Sequence, residues 1–310
     1  MNSPLALDGS VPLTHWGLIR ARGADVVSFL QGQLTNDVVR LDESSARLAG
    51  YCSAKGRLLA SFLMWKPAPD EVLLACSADL LAPTLKRLSM FVLRSKCKLS
   101  DASTELIMHG AVGGAALALI GHTPEWGQRT SAGASLIRLP DVLGVPRCIV
   151  VAAPGAAATA GSLALDAWRW LEVQSGIARI EAATVEQFVP QMLNYELVGG
   201  VDFGKGCYPG QEIVARSQYR GTIKRRMFLF DADAPAHAGQ EVFHAGDAAQ
   251  PAGMVVNAAP RPGTSGGSLL VEVKLALLDA GSLHLGSVEG DALRLAVQPY
   301  ALPADATQAA

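Results

Sequence analysis

The chain has 310 residues, more than a single hydrophobic core usually accommodates, so its length predicts two or three domains. Half of the residues are hydrophobic and 17% are charged, a composition that excludes global disorder. The 26 basic and 28 acidic residues give a net charge of −2, which excludes the long-range positive field of a dedicated nucleic-acid binder. Any contact with a polyanion must therefore be local.

Cysteine usage and hydropathy predict a cytoplasmic protein. The five cysteines are widely spaced and include no CxxC pair, which fits neither a disulfide framework nor a zinc ribbon. Residues 1–19 contain no Lys or Arg, so the basic start of a secretory signal is missing. The uncharged stretch 148–165 is interrupted by Pro154 and Gly155 and is therefore interpreted as a strand, a loop and a helix start rather than a membrane span.

The first hundred residues alternate extended and helical patterns. A strand is predicted at 15–21, and residues 23–25 are predicted to begin an apolar helix that reaches Leu34. Two extended runs flank residues 53–56, whose glycine can supply the positive φ of a hairpin turn. After a strand at 71–76, Ser77 is predicted to cap a helix that ends near Arg94.

A second α/β block is predicted from Glu105. Its strands are expected near 106–108, 136–139 and 148–151, with a small-residue helix around 111–120. A further helix at 163–175 is closed by Gly176, the residue favoured for a left-handed cap. From Arg225 onward, short strands divided by glycine and proline predict a small β-barrel or sandwich, followed by a disordered tail at 304–310.

The most informative segment is residues 205–216, KGCYPGQEIVAR, in which glycines bracket a thiol and a phenol before a helix-like run. A helix that starts at Gln211 would direct its free N–H groups toward Cys207, and Lys205 would add positive charge, so the thiolate would be favoured. The alternative is that Cys207 is a buried small hydrophobe and that the glycines only form a turn. Physical reasoning alone favours this alternative.

The same segment resembles the signature of the YgfZ family of folate-binding proteins. The resemblance extends to six other spans, which run in the family's order: residues 23–25, 29–38, 54–57, 189–194, 219–221 and 224–225. The motif is long and specific, and the spans together cover the chain from about Trp16 to Arg226. The C-terminal remainder fits less distinctively.

The resemblance implies an α+β fold similar to that of the glycine-cleavage T protein, with ferredoxin-like α/β lobes and a C-terminal β-barrel in a ring around a central channel. The implied domains are an N-terminal folate-binding lobe at 1–103, a second lobe at 104–224 that carries the KGCYPGQE motif, and the barrel at 225–303. The implied cofactor is tetrahydrofolate or a derivative. The implied partners are iron–sulfur enzymes or assembly proteins, including enzymes that thiomethylate tRNA, and a monomer is favoured.

The resemblance also assigns site residues. Cys207 is the reactive member of the motif, and Trp16 and Trp168 match the family's two folate-contacting tryptophans. The alternative is that both are core aromatics, and for Trp168, on a helix rich in apolar residues, the two interpretations are equally favoured. The remaining residues of the motif loop are Lys205, Gly206, Tyr208, Gly210, Gln211, Glu212 and Arg216. A basic cluster follows at Arg216, Arg220, Lys224, Arg225 and Arg226, interleaved with Tyr219. It could attract the glutamate tail of folate, an acidic patch on a client or RNA, and the near-neutral net charge favours the small anion over RNA.

Three functions stay open at the level of sequence. The first is a folate-binding accessory protein that supports iron–sulfur enzymes through Cys207. The second is a folate-dependent aminomethyl or one-carbon transferase. It is disfavoured because the hairpin at 54–65, which carries an acidic pair in the related T protein, contains no Asp or Glu here, and none occurs anywhere between Glu43 and Asp70. The third is a non-catalytic scaffold. The six histidines lack the close spacing of a metal site, so no metal is expected.

Overall fold

The structure is a computed structural model that describes residues 7–156, 162–219 and 223–303. In this part of the chain, five α-helices accompany three β-sheets. The helices are α1 (Val26–Gln31), α2 (Leu81–Ser89), α3 (Gly113–Ile120), α4 (Leu165–Gln174) and α5 (Gln211–Tyr219). The strands are β1 (Gly9–Pro12), β2 (Trp16–Arg22), β3 (Ala46–Cys52), β4 (Leu58–Ala68), β5 (Glu71–Ser77), β6 (Lys98–Asp101), β7 (Ile107–Val112), β8 (Gln128–Ser131), β9 (Ala134–Val142), β10 (Val145–Ala152), β11 (Arg225–Ala232), β12 (Glu241–His244), β13 (Gly253–Pro260), β14 (Gly267–Lys274), β15 (Leu283–Leu285) and β16 (Arg294–Leu295).

The chain divides into two compact units, each built from separate segments. The first unit consists of residues 1–33, 37–48 and 62–168, and the second of residues 34–36, 49–61 and 169–310. Short segments around Thr35 and around the β3–β4 turn therefore belong to the second unit although they lie early in the sequence. The three-part division at residues 103 and 224 stays a prediction.

Two five-stranded sheets have the strand orders β3-β4-β5-β2-β6 and β1-β7-β10-β9-β8. In the first of these, β2 pairs antiparallel with both β5 and β6, which leaves β6 at the sheet edge. In the second, β7 lies between β1 and β10, and the small side chains of α3 pack over β7 and β10. The sequence patterns missed β1, β6 and β8, which are four residues each.

The third sheet, β15-β12-β13-β14-β11-β16, comes entirely from the C-terminal part of the chain and belongs to the second unit. Its strands pair antiparallel, with β11 and β13 on either side of β14. Buried Val, Leu and Phe side chains from these strands form one core. The short glycine-divided strands that the sequence predicted after Arg225 are therefore confirmed.

Several element boundaries differ from the predicted ones for local reasons. Helix α1 ends at Gln31 rather than Leu34, because Leu34 forms a β-bridge with Tyr51 and Thr35 pairs with Gly50. A 3-10 turn precedes α2, so the cap of α2 is Leu80, and Ser77 makes no side-chain cap to the turn that it precedes. Gly176 has φ +68°, as predicted for a left-handed residue after α4.

None of the helices in the described part of the chain has the length and hydrophobicity that a membrane crossing requires.

Candidate functional site

Cys207 is the one exposed thiol of the chain. The other four cysteines are buried, and all five are free of disulfide bonds. Burial raises the pKa of Cys52 and of Cys148 to about 12, so both remain protonated near neutral pH. The alternative in which Cys207 is a buried space-filler is wrong, because the loop presents this side chain to solvent.

The cysteine loop, defined here as residues 205–210, packs on the β3–β4 turn through two glycines. Gly210 has φ +79°, and a Cβ atom there would lie 2.6 Å from both N and Cα of Gly56 and closer still to the Ser53 carbonyl oxygen. Gly56 has φ +70°, and a Cβ there would lie 2.8 Å from Cβ of Ile213 on α5. Two motifs 150 residues apart in the sequence are thus held in direct backbone contact, which only glycine permits.

Lys205 fixes the start of the cysteine loop. Its side chain is buried, its Nζ donates to the carbonyl oxygen of Leu34 at 2.5 Å, and the ammonium lies 4.9 Å from the centroid of the Tyr208 ring. A carbonyl oxygen and an aromatic face together compensate for burying this charge. Lys205 thus has a structural role at the start of the loop through Leu34 and Tyr208, and its effect on the Cys207 thiolate stays a prediction.

The first turn of α5 also differs from the expectation. The amide of Gln211 donates to the Tyr208 carbonyl, and the amides of Ile213 and Val214 donate to the Gly210 carbonyl. These donors are therefore occupied within the loop itself instead of being directed at Cys207. Gln211 is half-buried at the start of the helix, whereas Gly206, Glu212 and Arg216 are exposed.

Tyr208 closes the buried side of the cysteine loop. Tyr208 is buried. Burial, together with the nearby Cys52, raises the pKa of its phenol. Tyr208 therefore remains a neutral phenol near neutral pH and fixes the loop against the ammonium of Lys205. The loop thus alternates buried anchors at 205 and 208 with exposed residues at 206 and 207.

The segment 190–196 holds α5 and the third sheet together within the second unit. Gln191, fully buried, donates from Nε2 to the Val214 carbonyl of α5 at 2.7 Å. Asn194 has left-handed backbone geometry, donates from Nδ2 to the Met227 carbonyl and accepts from Nη1 of Arg226. Nη1 of Arg226 also lies 2.7 Å from Oε1 of Glu196, and both side chains are buried.

Thr35 and Asn36 add hydrogen bonds to the same part of the second unit. Oγ1 of Thr35 accepts from the Gly50 amide at 2.7 Å and donates to the Gly200 carbonyl at 2.6 Å, while Nδ2 of Asn36 donates to the Gly199 carbonyl. Arg57, next to the turn, donates from its guanidinium to the carbonyl oxygens of Glu186 and Gln187. Three of the other spans that carry the family resemblance, residues 29–38, 54–57 and 189–194, therefore contact residues 205–216. The sequence alone does not show that they meet.

The basic cluster divides into paired and exposed members. Arg225 forms a two-contact ion pair with the buried Glu272, including Nη2–Oε2 at 2.8 Å, and Arg226 pairs with Glu196. These two arginines neutralise buried carboxylates and so cannot act as open anion-binding groups. Arg216 and Lys224 are exposed, as is Tyr219, whose ring makes an edge contact with Phe203 at 5.8 Å. Arg220 lies outside the described residues.

Trp16 and Trp168 lie in the first unit. Trp16 begins β2, is half-buried and makes an edge contact with His15. Trp168 on α4 has 0% of its surface exposed: its ring lies against Gly110 of β7, where a Cβ would fall 2.5 Å from Cζ3, and the Arg147 guanidinium is 5.9 Å from its centroid. Trp16 thus offers accessible aromatic surface to a ligand, whereas Trp168 would have to shift before a pterin could stack on it.

The described residues contain no group of three or more His, Cys, Asp or Glu side chains that could hold a metal ion. The β3–β4 turn, on which the cysteine loop packs, carries no carboxylate, as the sequence shows. A charged general base is therefore missing from the turn in direct contact with Gly210.

No family model matches the chain. Among its relatives, the "tRNA-modifying protein YgfZ" of Photobacterium profundum is 32% identical over 239 residues, which cover 72% of this chain and 70% of the relative. The protein of the same name from Sodalis glossinidius is 29% identical over 316 residues, which cover 96% of this chain and 94% of the relative. An uncharacterized protein of Haemophilus influenzae is 30% identical over 239 residues, 75% of this chain and 77% of the relative.

Among solved structures, the glycine cleavage system aminomethyltransferase T of Bartonella henselae superimposes with a TM-score of 0.74. The match covers 94% of this chain and 86% of that chain at 16% sequence identity. At this identity the likeness shows the fold alone. The predicted α+β fold of the aminomethyltransferase type is therefore confirmed.

Proposed function

The chain belongs to the YgfZ family, and on this premise we propose that it binds tetrahydrofolate or a derivative and supports the assembly or repair of iron–sulfur clusters in enzymes that modify tRNA. The name of its relatives supports a role in tRNA modification. The fold of an aminomethyltransferase, shared over 94% of the chain, supports a folate ligand. The residues around Cys207 support a step that uses a thiol.

The observation that carries the proposal is the way the second unit displays Cys207. The loop is anchored at Lys205, at Tyr208 and at the Gly210–Gly56 contact, yet Cys207 itself remains exposed. A side chain that only filled space would not need such support. A rigid loop holds a reactive atom in one place, which reduces the entropy lost when a partner approaches it.

A thiol in this position suits soft-metal contact. Cysteine binds iron as the thiolate, so the Cys207 proton leaves to solvent when iron is bound, and the iron–sulfur cluster is here a substrate of the protein. The buried thiols of Cys52 and Cys148 are disfavoured for this chemistry because burial raises their pKa to about 12. Cys207 is therefore the residue that we assign to the activity.

The folate ligand is assigned to different residues. A pterin needs aromatic faces and hydrogen-bonding groups rather than a thiol, and Trp16 supplies half-buried aromatic surface. When bound, tetrahydrofolate supplies a carrier for one-carbon groups. Trp16 would orient its ring, and Trp168 would contribute only after moving away from Gly110.

An aminomethyltransferase is the alternative function, and it is disfavoured. The β3–β4 turn carries no acidic side chain, so it has no carboxylate to stabilise the positive charge that aminomethyl transfer develops. A non-catalytic scaffold is the other alternative. The scaffold alternative predicts that a Cys207→Ser variant is fully functional in cells.

The proposal is tested first by calorimetric titration of tetrahydrofolate into the purified chain under reducing conditions. We expect one saturable site in the wild type and the same affinity in Cys207→Ser, because the thiol is assigned to the activity and not to the ligand. Absence of binding to the folded wild-type protein would contradict the folate assignment. A large loss of affinity in Cys207→Ser would place the thiol in the folate site instead.

A further inference from the structure

Residues 86–98, KRLSMFVLRSKCK, are defined here as the basic–apolar segment. They span the end of α2, a turn and the start of the edge strand β6. The sequence contains no Asp or Glu between Asp79 and Asp101, so this stretch differs sharply from a chain whose net charge is −2. None of these residues belongs to the motifs around Cys207.

Five cations of this segment face solvent: Lys86, Arg87, Arg94, Lys96 and Lys98. None of them forms an ion pair within 4 Å with any described residue. By contrast, Arg225 and Arg226 of the second unit are neutralised by Glu272 and Glu196. These five exposed cations without an ion pair therefore form a positive stretch on the first unit.

The cations surround an exposed apolar centre. Leu93 is 88% exposed, Met90 57% and Phe91 43%, and all three lie in the turn that follows α2. Leu93 also has φ +43°, a left-handed conformation that costs a leucine about 1 kcal/mol. A strained and exposed leucine gains nothing from the fold around it, so contact with a partner is the simplest use for it.

Two like charges at the edge of the first sheet also favour contact with an anion. Arg22 on β2 and Lys98 on β6 are directly paired across the strands. Like charges in this position repel each other. Arg22 forms a long ion pair with Asp70, with 3.5 Å between Nε and Oδ2, and both side chains are exposed. A polyanion lying along β6 would relieve this repulsion.

We infer that the basic–apolar segment is an RNA-binding surface, with Phe91 as a stacking platform and the five cations as phosphate contacts. This inference rests on the proposed function, because relatives named as tRNA-modifying proteins make a tRNA the relevant polyanion. Unstacked bases of an RNA loop present flat faces that cover aromatic and neighbouring apolar side chains, while the backbone pairs with Lys and Arg. The near-neutral whole chain agrees with a local contact rather than a global field.

The first test measures the binding of purified bulk tRNA to the wild-type chain by fluorescence anisotropy at several salt concentrations. Five phosphate contacts predict a slope of log K against log salt of about −3.5 to −4.5, so affinity should fall roughly 100-fold to 500-fold between 50 and 200 mM salt. Undetectable binding at 50 mM salt would overturn the inference. So would binding that does not depend on salt.

Variants then locate the surface. Arg87→Gln/Arg94→Gln removes two of the five contacts and should reduce the magnitude of the slope by about 1.4 to 1.8. Phe91→Ala should weaken binding about 5- to 150-fold and leave the slope unchanged, because a stacking contact carries no charge. All of these residues are exposed, so the variants should fold, as a melting curve would verify.

The matched control is Arg216→Gln/Lys224→Gln, which removes two exposed cations from the second unit. We expect tRNA binding within twofold of the wild type. The assignment to residues 86–98 is wrong if this control weakens tRNA binding and reduces the salt slope while Arg87→Gln/Arg94→Gln does neither. Vesicles of phosphatidylglycerol and phosphatidylcholine are tested in parallel, and binding to vesicles but not to tRNA would identify an anionic lipid surface instead.

Folate titration of the same variants separates this inference from the proposed function. We expect Arg87→Gln/Arg94→Gln to bind tetrahydrofolate like the wild type. A wild-type chain that binds folate but not tRNA contradicts only the RNA-binding surface. A chain that binds tRNA through residues 86–98 but does not bind folate contradicts only the folate assignment.

Discussion

At the residue scale, Cys207 differs from the other four cysteines in its exposure to solvent. Cys207 is exposed on a loop with anchored ends, whereas burial raises the pKa of Cys52, Cys97 and Cys148. Only a thiolate attacks electrophiles or binds soft metals. Cys207 is therefore the cysteine that the fold leaves accessible to such partners.

This contrast predicts that iodoacetamide labels a single cysteine of the native chain at pH 8. The expected product by mass spectrometry is one added carbamidomethyl group on Cys207, and Cys207→Ser should take up none. Unfolding in urea should expose all five sites and serves as the control for reagent activity. Fast labelling of a second cysteine in the native protein would show that the buried thiols are accessible.

The two glycines of the cysteine loop have different roles, which gives a matched pair of substitutions. A Cβ at Gly210 would meet backbone atoms of Ser53 and Gly56 and would also have to adopt φ +79°, whereas a Cβ at Gly206 has no atom within 4 Å. We expect Gly210→Ala to reduce the free energy of unfolding by about 2 kcal/mol or more and Gly206→Ala to change it by less than about 0.5 kcal/mol. Urea unfolding measures both, and equal effects would contradict the close packing described for Gly210.

At the scale of elements, α4 and β7 determine what Trp168 can do. Its indole fills the space left by Gly110 and lies under the Arg147 guanidinium, so it contributes to the core of the first unit. Removal of a fully buried tryptophan side chain costs about 3–5 kcal/mol. A folate measurement on Trp168→Ala would therefore mix affinity with stability, and the milder Trp168→Phe is the better variant.

The prediction for the two tryptophans is that both contribute to folate affinity, with Trp16 the more accessible contact. Trp16→Ala should weaken tetrahydrofolate binding about fivefold, which corresponds to about 1 kcal/mol for one aromatic contact, and Trp168→Phe should weaken it less. Trp65→Phe, a fully buried control on β4, should bind normally. Unchanged affinity in a folded Trp16→Ala protein would remove Trp16 from the site.

The elements that the sequence predicted are those with a strong local pattern. The β3–β4 hairpin, the strands after Arg225 and the helices α3, α4 and α5 were anticipated because their periodicity or turn residues act locally. The helix predicted to reach Arg94 ends at Ser89 instead. The spacing of Leu85, Leu88 and Val92 fits a helical period, but spacing alone does not show how far the helix stays packed against the rest of the fold. Its continuation exposes Met90, Phe91 and Leu93.

The candidate site was predicted only in part, because its contacts are between distant segments. The cysteine loop could be recognised in the sequence, but no local signal showed that Gly210 meets Gly56 or that Lys205 donates to Leu34. For the same reason, the sequence predicts one basic cluster that includes Arg225 and Arg226, although each has a carboxylate partner from elsewhere in the chain. The absence of Asp and Glu between Asp79 and Asp101 is the sequence signal for the unpaired cations of residues 86–98.

At the scale of the whole molecule, the chain assigns different tasks to different parts of one fold. The aromatic surface that we propose for folate and the exposed cations of residues 86–98 belong to the first unit, and the exposed Cys207 thiol belongs to the second. The fold is shared with an aminomethyltransferase at 16% identity, while the β3–β4 turn lacks acidic residues. This combination agrees with the proposal that the chain keeps the fold of a folate enzyme and uses Cys207 as its reactive group.

The central claim is that Cys207 carries the activity while the folate ligand is bound elsewhere. The most direct measurement is the fraction of methylthiolated adenosine in tRNA from cells that lack the endogenous protein and express wild type, Cys207→Ser or the control Cys97→Ser at equal levels. The account predicts restored modification with the wild type and with Cys97→Ser, and none with Cys207→Ser. Full restoration by Cys207→Ser, at a normal amount of folded protein, would contradict it and leave the chain a binding module.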